Sequence, residues 1–142
     1  MVRVMASGVF DILHTGHLSY LEQARSMGDE LIVVVACDST VRMRKHEPIT
    51  PEDMRVRLVG ALKPVDKVIL GGNGDMFDTV ATVKPDVIVL GYDQTFDTDA
   101  LSKEIAARGL GDIRVVRAGE CADDLNATRR IVSRIRTMGD SK

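Results

Sequence analysis

The sequence predicts one α/β domain built on a five-stranded, doubly wound parallel sheet with helices on both faces. Three observations carry that prediction. Five short runs rich in β-branched residues recur along the 142 residues. Helical patterns separate them, so strands and helices alternate from end to end. Each strand run is almost continuously apolar, as strands covered on both faces are, whereas half-exposed strands alternate.

The first strand lies in VRVMASG and ends near Ser7 or Gly8. In the helix that follows, Leu18, Leu21, Ala24 and Met27 mark one face, and Gly28 is the expected C-terminal stop. ELIVVVA at 30–36 is the second strand. Residues 38–50 contain Arg42, Arg44, Lys45, His46 and Pro48, and read either as a basic loop or as a short helix followed by a turn. A helix is expected over 51–61, with Pro51 in its first turn and Thr50 capping the exposed amides. VDKVIL at 65–70 is the third strand, and GGNGD after it is a turn in which glycine supplies positive φ. Then come a helix over 75–83, a strand over 86–91, a helix over 98–108 stopped by Gly109, a strand over 112–118 and a last helix from Leu125 to Met138. No internal repeat, low-complexity tract or linker interrupts this order, so residues 1–142 are expected to form one domain.

Hydrophobic residues make up 44% of the chain, enough for a core without staples. Charged residues make up 28% and nearly cancel, leaving a formal net charge of -2, so no broad cationic surface for nucleic acid is expected. No run approaches the roughly 18 apolar residues of a membrane span, and the N-terminus does not read as a leader. Cys37 and Cys121 stand far apart without CxxC spacing, which suits a reducing compartment and places the protein in the cytoplasm. Cys37, at the end of a strand, reads as a small core residue.

The stretch GVFDILHTGH, residues 8–17, holds two of the three histidines. It falls between the first strand and the first helix. Spaced i, i+3, His14 and His17 share one face of a helix start, where free amides and the helix dipole favour a phosphate. Gly16 between them lets backbone approach a bulky anion. Imidazoles so placed can hydrogen-bond phosphate oxygens and stabilise charge that grows in a transition state, without acting as nucleophiles. Two readings of His-x-x-His compete: a zinc site, for which only Asp11 stands near enough in sequence to help complete a tetrahedral set, so that no stable protein metal site is expected, and two ordinary capping or surface histidines, which the surrounding pattern disfavours. Asp11 itself reads as a turn residue holding the loop, with positioning of an acceptor or a metal as the alternative.

This stretch resembles the opening of the cytidylyltransferase-like nucleotidyltransferases, whose hallmark is HxGH after a G-x-F-D turn. His14, Thr15, Gly16 and His17 match the hallmark in full. The likeness runs from Arg3 to about Ile135 and implies a Rossmann-like fold. It implies a phosphate-binding basic residue after the second strand, a role for Arg42, Arg44 or Lys45, and an arginine in the next helix, Arg55. The alternative for Arg55 is a surface ion pair with Glu52 or Asp53. In LGYDQ at 90–94, Asp93 matches the acid that contacts the nucleotide. LNATRR keeps a hydroxyl at Thr128 where relatives have an I-S-S/T-T motif, but puts Asn126 or Ala127 at the serine position, with Arg129 or Arg130 as the compensating cations.

In that family a nucleoside triphosphate gives its nucleotidyl group to a phosphate monoester and releases pyrophosphate, with a divalent cation, usually magnesium, on the triphosphate. GDELIVVVACDSTV, ALKPVDKVILG and KPDVIVLGYDQTFD are most similar to archaeal FAD synthetases. That resemblance implies ATP bound across Val9, Phe10, residues 14–17 and Asp93, with FMN as acceptor, and Cys121 as the one counterpart of cysteines near the C-terminus of those enzymes. The alternative is CTP with glycerol 3-phosphate. Aromatic residues are only 4% of the chain, so composition does not favour a flavin. A non-catalytic nucleotide sensor is the second class of reading, disfavoured because both histidines are present. A dinucleotide-dependent oxidoreductase is the third, and no G-x-G-x-x-G follows the first strand. Relatives commonly form two-fold dimers through helices beside the active site, so a homodimer is expected.

Overall fold

Near-continuous apolar runs need cover on both sides, and the chain supplies it by packing helices that follow the first two strands on one face of one sheet and those that follow the third and fourth strands on the other. A computed structural model describes residues 1–44 and 46–140. The strands are β1 (Arg3–Gly8), β2 (Glu30–Val35), β3 (Lys67–Leu70), β4 (Val87–Leu90) and β5 (Arg114–Arg117). All pairings are parallel, in the order β3-β2-β1-β4-β5. The direction of winding reverses between β1 and β4, which opens a crevice at the carboxyl ends of those strands.

The helices are α1 (Thr15–Arg25), α2 (Asp38–Arg44), α3 (Glu52–Gly60), α4 (Met76–Val83), α5 (Thr98–Ala107) and α6 (Thr128–Asp140). One core cluster packs Leu21 and Ala24 of α1 and Val59 of α3 against Val4, Ala6 and Val33. The other packs Val80, Val83, Leu101 and Ile105 of α4 and α5 against Met5, Ile32 and Ile88. Tyr20, buried in α1, ties strand ends together: its hydroxyl donates to Val89 O at 2.5 Å and accepts from Ser7 N at 3.1 Å. Burial pushes its phenol far above the usual value, so it stays neutral. No helix is long and apolar enough to cross a membrane among the described residues.

Several sequence expectations meet a different local physics. Burial is complete for β4 and covers the centre of β1 and nearly all of β2, but β3 and β5 are edge strands with exposed ends, because each has a neighbour on one side only. Residues 38–44 take the helical alternative. Helix α1 stops at Arg25, three residues short of Gly28, and Gly28 is not left-handed. Its missing side chain serves packing, since a methyl there would meet Val4 Cγ2 at 2.6 Å and Val2 O at 2.7 Å. The GGNGD glycines are likewise not at positive φ, whereas Gly109 is, at φ 69°. Helix α3 has Pro51 as N-cap without a side-chain bond. Thr50 does not cap α3, because its hydroxyl is taken by Asp11 at 2.7 Å.

Candidate active site

The crevice between β1 and β4 is a cavity of about 710 Å³, inside the usual range for small-molecule sites. Its walls come from the loop after β1, the turns after β4 and β5, the first turn of α1 and one side of α6. Val9, Phe10, Asp11, His14, Gly16, His17, Asp93, Asn126, Ala127, Thr128 and Arg129 of the expected set all line it.

His14 and His17 form a reciprocal cap on α1. His17 N donates to His14 Nδ1 and His14 N donates to His17 Nδ1, both at 3.3 Å. A capping box of this kind is ordinarily built from Ser or Thr with Glu or Gln. With both Nδ1 atoms accepting, the proton of each neutral ring resides on Nε2. The rings stack with centroids 3.7 Å apart. Burial holds His14 below its usual 6.5, against an upward pull from the Asp93 carboxylate. Phe10, 2% exposed, packs beside His17 at 5.3 Å between centroids.

The loop that delivers this pair is held in a costly conformation. Phe10 and Ile12 adopt φ of 58° and 55°, a region that side chains avoid and that β-branched residues avoid most. Asp11 between them is 5% exposed and spends both oxygens on the chain opposite: Oδ2 accepts from Ile49 N at 2.8 Å, and Oδ1 from Thr50 N and Oγ1 at 2.9 and 2.7 Å. Burial pushes its carboxyl up, but these bonds and the Arg55 charge outweigh it, leaving Asp11 below 3.8. The geometry gives Asp11 the loop-holding role.

Arg55 lies elsewhere than expected. It is 1% exposed, does not line the cavity, and donates to Thr50 O at 3.0 Å, Val9 O at 2.8 Å, Ala36 O at 2.7 Å and Asp38 Oδ1 at 2.6 Å. One guanidinium thereby joins the ends of β1 and β2 to the start of α3. Its ion partner is Asp38, and neither Glu52 nor Asp53. Arg42 pairs with Glu47 at the surface, and neither it nor Arg44 lines the cavity. Lys45 is outside the described residues. Thr15 opens α1, exposed and off the cavity wall.

Helix α6 closes the other side. Thr128 Oγ1 donates to Asp11 O at 2.7 Å, and Asn126 Nδ2 donates to Cys121 O at 2.7 Å. Gly16 touches this segment so closely that a methyl would collide with Asn126 O and the His14 ring. The glycine therefore serves an approach of chain to chain. Two helix N-termini thus open onto one cavity beside two imidazoles, an arrangement suited to a polyphosphate. Sequence reasoning missed Ser133 and Arg136, which line the cavity with Arg129. Their i, i+4, i+7 spacing on α6 was the available signal. It also missed His46 and Tyr92, which line the opening. Among the described residues, no group of three or more His, Cys, Asp or Glu is placed to hold a metal ion.

The cytidylyltransferase-like family model matches residues 5–131. The chain belongs to the cytidylyltransferase-like family. Among curated proteins of that kind, the FAD synthase of Aciduliprofundum boonei is 55% identical over 136 residues, covering 95% of this chain and 91% of that one. The FAD synthase of Archaeoglobus profundus is 50% identical over 137 residues, 95% and 86% of the two chains. A crystal structure from Thermoplasma volcanium, described as a lipopolysaccharide core biosynthesis protein, superposes with a TM-score of 0.83 at 51% identity, covering 85% of this chain and 98% of that one. The doubly wound sheet is therefore that of a cytidylyltransferase-like protein.

Proposed function

We propose that this chain is an FMN adenylyltransferase, transferring AMP from ATP to the phosphate of FMN to give FAD and pyrophosphate. The observation that carries the substrates is the 48–55% identity, over 95% of the chain, to proteins named FAD synthase. The site chemistry supports the same reaction. A phosphate monoester has its second pKa near 6, so at neutral pH the acceptor is already a dianion and needs no general base. One of its oxygens attacks the α-phosphorus of ATP, and the bond from that phosphorus to the β-phosphate oxygen breaks. What remains for the protein is alignment and charge stabilisation, which donors serve better than bases.

His14 and His17 fit that role: each ring accepts through Nδ1, so its donor hydrogen is the one on Nε2. The N-termini of α1 and α6 receive the triphosphate. Val9, Phe10 and Asp93 face the nucleoside, and Arg129 faces the triphosphate, with Ser133 and Arg136 on the same side of α6. Thr128 is a latch to Asp11, and Arg55 supports the walls. A divalent cation, magnesium, would come with the triphosphate and neutralise phosphate charge; Asp11 has committed both oxygens, so Asp93 and Glu120 are the other cavity carboxylates that would meet it. The reaction belongs in the cytoplasm, where Cys37 and Cys121 remain free thiols. A homodimer completes the reading, supported by Ile135 and Met138 on α6, 59% and 60% exposed, and sedimentation velocity tests it.

Incubation with FMN and each nucleoside triphosphate in turn tests the reaction. FAD from ATP is expected. Product from CTP and glycerol 3-phosphate alone would overturn the assignment.

A further inference from the structure

The turn that carries Asp93 is held from outside the cavity by Arg117, a residue that does not line it. Parallel pairing of β4 with β5 sets Arg117 beside Leu90, the last residue of β4. From there the guanidinium reaches three carbonyls of the following segment. Nη1 donates to Gly91 O at 3.0 Å and Gln94 O at 2.6 Å, and Nη2 donates to Phe96 O. Gln94 closes the turn from the other side: its Oε1 accepts from Gly91 N at 2.8 Å, its Nε2 donates to Ser7 O at 3.1 Å, and its own N–H bonds Gly91 O at 3.2 Å. Both ends of a four-residue turn are thus fixed. Its two central residues, Tyr92 and Asp93, are exposed and face the cavity.

We propose that Arg117 is a positioning residue, acting through the Tyr92–Asp93 turn to pre-order the nucleoside half of the site. The ATP readout rests on the reaction proposed above. Arg117 is itself exposed. Without it, the three carbonyls can turn to water, so little native stability is at stake. What changes is the freedom of the turn, and the entropy of ordering it then falls on the binding step. The planar fork with five donors suits three separated acceptors, whereas a lysine is a point charge that reaches fewer of them. The competing role is that of a charge blunting the exposed edge strand β5, which involves no contact with the turn.

The test compares wild type with Arg117→Met, Arg117→Lys, Asp93→Asn and the Arg117→Met/Asp93→Asn double variant. Arg117→Met is expected to raise KM for ATP about tenfold, with kcat within about threefold and nearly unchanged melting, since the cost is loop ordering. Arg117→Lys should recover part of the loss. In the Asp93→Asn background the Arg117→Met effect should shrink, because coupled positions are not additive. Unchanged ATP KM, or effects that simply multiply, overturns the proposal. Amide exchange over residues 92–96 needs no substrate and should quicken in Arg117→Met, or in Arg117→Lys should the former not fold; unchanged exchange means that the turn is not held by Arg117. Wild-type FAD formation, run in parallel, reports separately on the reaction.

Discussion

Thr128 Oγ1 donates a hydrogen bond to Asp11 O at 2.7 Å across 117 positions of sequence. This bond joins the strained loop after β1 to the first turn of α6. Its proton is committed there, so the hydroxyl holds one wall of the cavity. Thr128→Val is expected to cost about 1 kcal/mol of stability, the usual value of such a bond, and Thr128→Ser much less. Urea unfolding of the two variants checks the difference.

His17→Asn separates the two jobs of this imidazole. The amide oxygen can replace Nδ1 as acceptor for His14 N–H, while nothing replaces Nε2–H. Turnover should fall about 10²–10³-fold, as for loss of one transition-state donor, with melting close to wild type. Near-normal turnover in a folded His17→Asn protein would show that the ring only caps the helix.

Arg55→Met should behave as a core lesion. It strands Asp38 beside a methionine and frees three carbonyls, at a cost of about 3 kcal/mol or more. Chemical denaturation measures this directly. A stable Arg55→Met protein with ATP affinity alone impaired would return Arg55 to the triphosphate.

His14 should titrate below 6.5 by NMR, because burial disfavours its charged form. Asp93 pulls the other way, so Asp93→Asn should lower the midpoint further. A folded-state pKa below the unfolded one means that the unfolded chain binds the proton first. The contribution of His14 to stability is therefore complete above about 6.5 and is lost as pH falls through the folded midpoint. An unchanged His14 midpoint in Asp93→Asn would show that the two groups do not interact.

The order of elements was readable because buried parallel strands leave near-continuous runs such as ELIVVV and VIVL, and both became strands. The histidine pair was readable because its junction with α1 is local. Arg55 was not: PEDMR looks the same whether its arginine meets solvent or the carbonyls of Val9 and Ala36, since burial is decided by distant chain. The same holds for Thr50, whose hydroxyl found Asp11 rather than α3. Nor could composition reveal that Phe10 and Ile12 turn left-handed, because local preference argues against it and tertiary bonds to Asp11 override that preference.

At Gly16 the first turn of α1 meets the chain at Asn126 with no room for even one carbon. The gap between the two helix mouths is therefore ruled by bare peptide, and no substitution on either side can widen it by degrees. Variants able to accept another donor base or a bulkier acceptor must be sought at the rim, around Tyr92 and along α6, while the floor keeps one gauge.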